Sequence, residues 1–193
     1  MTQTSHTRAP AAFKTVNRFM LLLWRLGLGG LLNRGSKLGG QITVLVHHGR
    51  NSGLCRRTPV NYVLVDGDLF CAVGFATTDW YRNVRADPNV EVWLPDGWWA
   101  GVAEELPREH PDWLPRLRDV LLASGLASQV TGVDVRTLDD AELLIRTKAY
   151  RVLRIRRTAA RTGPGGPGDL AWVWPLATLV LGFLAVRRQR TGT

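Results

Sequence analysis

Apolar positions along this chain follow three rhythms. Short runs at 42–46, 60–65, 69–75, 90–94 and 98–104 are rich in Val, Leu, Ile and aromatic residues. Runs of that length and composition predict β-strands. Asp66-Gly67-Asp68 ends the second run and Pro95-Asp96-Gly97 separates the fourth from the fifth, so both places predict hairpin turns. A helical rhythm occupies 109–124, where Leu114, Leu117, Val120 and Leu121 share a face, and another helix is expected at 138–145. Residues 150–155 read as a last strand that closes the sheet. The pattern therefore predicts a mainly β, α+β fold, a small antiparallel barrel with flanking helices.

The ends differ from this middle. Over 13–32, Lys14, Arg18 and Arg25 fall within about 40° of one another on a helical wheel, with Phe13, Phe19, Met20, Leu22, Leu23 and Leu26 distributed elsewhere. Such a basic, leucine-rich helix suits a membrane surface or the mouth of a barrel, and Gly27, Gly29 and Gly30 fray its end. Near the other end, the Pro/Gly run at 162–168 reads as a flexible linker. Residues 170–186 then carry no charge and make a helix of about 25 Å, at the lower edge of what crosses a bilayer. Trp172 and Trp174 lie at one end of it, where interfacial tryptophans belong, and Arg187, Arg188 and Arg190 at the other. The expected organisation is an N-terminal amphipathic helix (1–35), a barrel domain (36–160), a Pro/Gly linker (161–169) and a hydrophobic helix (170–190) that anchors the protein in a membrane, spanning it or inserting shallowly.

Composition narrows the function. A chain of 193 residues, 45% hydrophobic, is large enough for one ordinary core and is not disordered. The net charge of +9 raises nucleic acid as a partner, yet among 25 basic residues only Lys14, Lys37 and Lys148 are lysine, and Trp98 and Trp99 sit in a strand pattern rather than a basic platform. No nucleic acid is expected; an anionic cofactor or an anionic membrane surface accounts for the charge with less strain. Cys55 and Cys71 make neither a disulfide framework nor a metal site. His47 and His48 are adjacent on a strand, so one is read as packed and the other as a cofactor neighbour. No Ser-His-Asp set, carboxylate pair or zinc spacing stands out, which disfavours hydrolysis and leaves redox chemistry carried by a cofactor. The first twelve residues are polar or small, and no cleavable signal peptide is expected.

The most informative segment is His48-Gly49-Arg50-Asn51-Ser52-Gly53-Leu54-Cys55-Arg56. Its glycines permit a tight turn, and Arg50, Ser52 and Arg56 bring donors suited to phosphate or carboxylate oxygens, so it reads as an anion-binding turn between strands. A second segment, from Phe75 to Val92, opens a helix at Thr78 or Asp79, both good N-cap residues, and ends it at Pro88.

Together the loop G-R-x-S-G-x-x-R-x-x-P and the later D-W-Y-x-N-x-x-A-x-P-x-V-x-V resemble the deazaflavin-dependent nitroreductase family, split β-barrel reductases that use coenzyme F420. The resemblance covers roughly residues 40 to 157. It implies that Arg50, Asn51, Ser52, Gly53 and Arg56 hold the cofactor's phosphate and oligoglutamate tail, and that Ala76, Thr77, Thr78, Trp80 and Tyr81 lie along its ring. Asn51 and the Phe75-Ala76-Thr77 run stand where relatives often carry lysines, which keeps FMN open as the alternative cofactor.

On this reading Trp80 is a flat apolar wall, while Tyr62 and Tyr81 are the catalytic candidates, since a phenol can donate to a reduced oxygen. The expected activity is hydride transfer from reduced F420 to a quinone-like or nitroaromatic acceptor. An FMN-dependent reductase or oxidase and a non-catalytic, membrane-tethered cofactor-binding protein are the alternatives. The expected place is a membrane, with the catalytic domain cytoplasmic; a homodimer is left open, since many relatives with this barrel pair.

Overall fold

The computed structural model describes residues 11–34, 40–74, 77–125 and 135–191. Strands β1 (Ile42–His48), β2 (Cys55–Val65), β3 (Asp68–Val73), β4 (Asn89–Leu94), β5 (Gly97–Leu106) and β6 (Arg151–Arg161) close into an antiparallel barrel in the order β1-β2-β3-β6-β5-β4. Around it lie α1 (Ala11–Arg25), α2 (Gly29–Arg34), α3 (Asp79–Ala86), α4 (Trp113–Ala123), α5 (Asp140–Arg146) and α6 (Val173–Thr191).

Strand alternation sorts the apolar residues into an interior and two outer faces. Leu45, Val60, Tyr62, Leu69, Cys71, Val92, Leu153 and Ile155 fill the interior. On the outside of β1 and β4, Val44, Val46 and Trp93 receive Trp24 of α1, only 2% exposed. On the outside of β3 and β6, Phe70 and Val152 are covered by Trp113, Leu117, Val120 and Leu121 of α4 and Leu143 of α5. Asp66 and Gly67 both take positive φ, 51° and 86°, the requirement of a two-residue hairpin turn whose twist matches its strands.

The barrel is held unevenly. β1 pairs with β2 from Ile42↔Asn61 to His48↔Cys55 but with β4 only through Val44, Leu45 and Val46. His47 and His48 therefore run beyond the seam, and α3, arriving from β3, packs beside that end of β1.

Several expectations are corrected. β2 begins at Cys55, so Cys55 and Arg56 belong to the strand, because the ladder continues through His47↔Arg56 and His48↔Cys55. α4 begins at Trp113 rather than 109, since Pro115 is tolerated only in a first turn. β6 runs to Arg161, paired along its whole outer half with β5 as far as Trp98↔Arg161. The N-terminal helix covers a wall of the barrel, not its mouth, and glycine splits it from α2.

The Pro/Gly run at 162–168 is docked rather than loose. Gly168 N–H donates to Trp24 O at 2.9 Å, Leu170 N–H donates to Arg25 O at 2.8 Å, and Arg57 Nη2 donates to Gly165 O at 3.3 Å. α6 follows, with Trp174 Nε1 donating to Leu26 O at 2.9 Å. Among the described residues no helix is long and apolar enough to cross a membrane. The apolar stretch of α6 gives way to arginines within the helix itself, which corrects the spanning reading.

Candidate functional site

The free end of β1, the hairpin loop and α3 enclose an open groove of about 570 Å³. Its walls come from His47, Gly49, Arg50, Asn51, Ser52, Arg56, Arg57, Thr58, Asp79, Trp80 and Asn83. Gly49 N–H donates to Leu54 O at 2.9 Å, and the N–H groups of Ser52 and Gly53 both donate to Gly49 O, at 3.1 and 2.7 Å. This tight loop needs φ of 65° at Gly53, and a Cβ at Gly49 would lie 2.7 Å from Ser52 Oγ, so the exposed serine side chain would have to turn away.

Arg50 is a brace. Its backbone N–H and its Nη1 both donate to Asn83 Oδ1, at 3.1 and 2.9 Å, and its Nη2 donates to Asp79 Oδ1 at 3.1 Å, which staples the loop to α3. Asn83 Nδ2 lies 3.4 Å from His47 Nδ1, and His47 Nε2 lies 3.1 Å from Thr58 Oγ1. Burial chiefly, with the Arg56 guanidinium across the ladder adding to it, lowers the His47 pKa below 6.5, so this imidazole is neutral at pH 7.

Arg56 and Arg57 differ from Arg50. Neither forms an ion pair among the described residues; Arg57 meets a backbone carbonyl and the Trp93 ring, while Arg56 is free toward the groove. Two uncompensated guanidinium groups beside a tight glycine loop, opposite the flat Trp80 side chain, suit a ligand with an anionic tail and an aromatic ring.

Residues 27–137, more than half of the chain, match the family model described as F420H(2)-dependent quinone reductase. The chain belongs to that F420H(2)-dependent quinone reductase family. Its cofactor is accordingly coenzyme F420 and its chemistry is that of a reductase, and the donor set of the groove fits such a polyanionic cofactor. None of the curated proteins matches the sequence. Among solved structures, an F420-H2 dependent reductase, FDR-A, is 24% identical over 60% of this chain and 93% of its own, with a TM-score of 0.40. A conserved hypothetical protein of Mycobacterium tuberculosis is 18% identical over 84% of this chain and 87% of its own, TM-score 0.43. The heme storage protein HutZ of Vibrio cholerae is 11% identical over 72% and 94%, TM-score 0.44.

Within this quinone reductase family member, the residues expected from the sequence divide into three groups. Arg50, Asn51, Ser52, Arg56 and Trp80 line the groove, and Gly53 shapes its loop. Thr77 is an exposed turn residue and Thr78 Oγ1 is buried with no partner among the described residues, while Ala76 lies outside those residues.

Tyr62 and Tyr81 are elsewhere. Tyr62 lies in the barrel interior toward the far hairpin; burial, with Asp96 and Cys71 adding to it, pushes its pKa up to about 12. Tyr81 is also interior, its hydroxyl donating to Glu105 Oε2, and burial followed by Glu105 raises its pKa. Neither phenol faces the groove: Tyr62 stands on β2 beyond the groove's Thr58, and on α3 successive residues diverge by roughly 100°, with Trp80 taking the groove side.

Sequence reasoning missed Arg57, Thr58 and Asn83. Two signals were there to read: Asn83 follows Trp80 by three positions on a helix, and Thr58 follows Arg56 by two on a strand, so each shares its partner's face.

Proposed function

We propose that this reductase holds the tail of F420 at Arg56 and Arg57 and its ring against Trp80, and delivers hydride to a quinone-like or nitroaromatic acceptor at a membrane surface. The observation that carries the proposal is the pairing of two guanidinium groups lacking a carboxylate, among the described residues, with an apolar indole wall across one groove. Bound there, the reduced deazaflavin supplies the hydride. Arg50 contributes by holding the loop and α3 at a fixed separation, and Trp80 by excluding water from one ring face. The groove is open, so water supplies the proton that completes the two-electron reduction. A fluorescence titration with F420 and FMN in parallel tests the reading. F420 should bind more tightly, and preference for FMN would overturn it.

The membrane part rests on α6. Leu176, Leu179, Val180, Leu181, Phe183 and Leu184 are all exposed, with Leu179 at 69% and Phe183 at 66%, and these positions spread over about 200° of the helix. Burying them on one flat protein face leaves others in water, whereas lipid covers every side. The helix is too short an apolar stretch to cross, so the reading is shallow insertion from the cytoplasmic side, with Trp172 and Trp174 near the interface. Leu179→Ser with Phe183→Ser in the full chain should release the protein from vesicles and lower turnover of long-tailed quinones, with short soluble quinones reduced as before. Equal effects on both acceptors would sink this part.

A further inference from the structure

The hydrogen bonds behind the groove run in a single direction, and that direction assigns a role to Thr58. Asn83 Oδ1 is claimed by two N–H donors of Arg50, at 3.1 and 2.9 Å. An amide oxygen so occupied fixes which way the Asn83 side chain points, and its NH₂ faces His47. That NH₂ can only donate, so His47 Nδ1, 3.4 Å away, is the acceptor. A neutral imidazole that accepts at Nδ1 carries its proton on Nε2. Nε2–H therefore donates to Thr58 Oγ1 at 3.1 Å. The Thr58 hydroxyl has one lone pair engaged from behind, its own proton is left over, and among the described residues no other partner holds it.

We propose that Thr58 is a ligand-positioning donor, poised by the chain Arg50 to Asn83 to His47 to Thr58, and that the groove selects a ligand presenting an acceptor oxygen one strand step deeper than its anionic group. The spacing follows from β2. Arg56 and Thr58 are two residues apart on one strand face, which separates their positions by roughly 7 Å along the barrel axis direction of the strand. The anion is held at the rim by Arg56, and a carbonyl or phosphate oxygen further along the same molecule accepts from Thr58 Oγ.

A reversed chain would present a lone pair at Thr58 instead and repel that oxygen. Burial holds the direction: His47 is 2% exposed and Asn83 is buried, so water does not compete for the intermediate links. The titratable and charged groups around His47 are His48 beside it on β1, Arg56 opposite it on β2 and, through Asn83, Arg50 paired with Asp79 of α3. Burial above all, with His48 and the Arg56 guanidinium adding to it, discourages a second imidazole proton, which keeps Nδ1 free to accept.

This inference rests on the groove being the F420 site, and two measurements separate the two ideas. On the unaltered protein without ligand, long-range nitrogen–proton NMR of His47 at pH 7 should show the neutral Nε2–H tautomer. An Nδ1–H tautomer or a doubly protonated ring would overturn the relay whatever binds in the groove. In the second, equilibrium binding of F420 is read from tryptophan fluorescence. Thr58→Val, which keeps shape and strand propensity, should weaken binding about tenfold, with Thr58→Ser close to the parent. Equal affinity in Thr58→Val would overturn the donor role while leaving F420 binding intact. Failure of the parent itself to bind F420, with the expected tautomer present, would overturn the groove assignment and with it the ligand that Thr58 is said to position.

Discussion

Arg25 and Asp169, 144 positions apart, meet in a forked ion pair: Nε donates to Oδ1 and Nη2 to Oδ2, both at 2.9 Å. The pair closes the chain on itself where α1 ends and the Pro/Gly strap begins, and the strap's backbone adds bonds to Trp24 O and Arg25 O. Arg25 is 43% exposed and Asp169 15%, so solvent screens the attraction and the global stability at stake is about 1 kcal/mol or less. Asp169→Ala should leave the melting temperature nearly unchanged yet make the 163–172 segment far more sensitive to limited proteolysis. A strap as resistant as the parent's would show that backbone bonds alone hold it.

Trp24 predicts a larger effect. Its ring fills the contact between α1 and the outer face of β1 and β4, and Gly29 lies so close that an added Cβ would sit 2.2 Å from the ring. Trp24→Ala should cost about 3–5 kcal/mol, measured by urea unfolding. Gly29→Ala should also destabilise, because the buried indole cannot swing aside.

The groove arginines should separate by function. Arg56→Met should weaken F420 binding by about tenfold in low salt, with the deficit shrinking as NaCl rises, since the lost group acts by charge. Arg50→Met should instead show up as loss of loop order and of stability, because Arg50 spends its donors on Asn83 and Asp79. Titrations across NaCl concentrations, paired with thermal melts, distinguish the two.

His47 makes stability depend on pH with a definite sign. Its folded pKa lies below the unfolded value of 6.5, so the unfolded chain binds the proton more readily. The stabilisation is fully present above 6.5 and is lost as pH falls from there toward the folded pKa. Melting temperatures from pH 8 to pH 5 should fall more steeply in the parent than in His47→Gln, and parallel curves would exclude the effect.

Tyr81 is the test of what the sequence made visible. Tyr81→Phe removes a hydroxyl bonded to Glu105, which is exposed and also pairs with Arg151, and should cost about 1 kcal/mol while F420 affinity holds. The motif that includes Trp80 and Tyr81 located the helix and its neighbourhood, but side chains one residue apart on a helix leave in different directions, and only the packing of α3 decides which faces the ligand.

Much of the fold was legible for a clear reason. The apolar runs around Leu45, Leu69 and Val92 had to alternate between interior and covered exterior, and they did. The start of β2 was not, because Cys55, Arg56 and Arg57 sit at a rim where strand residues are exposed and polar, and only the ladder to His47 and His48 makes them strand. The strap at 162–168 was misread for a related reason: it is held through backbone N–H and C=O groups, which composition does not display.

Closure of the barrel has a consequence for assembly. Each of the six strands has a neighbour on both sides, but β2 pairs with β3 only from Tyr62 to Val65, so among the described residues the run of β2 from Cys55 to Asn61 is laddered to β1 alone and offers the edge on which a second chain could add a strand. The β1–β4 seam is as narrow, three residues on β1, so the barrel is least closed at the end that carries the groove.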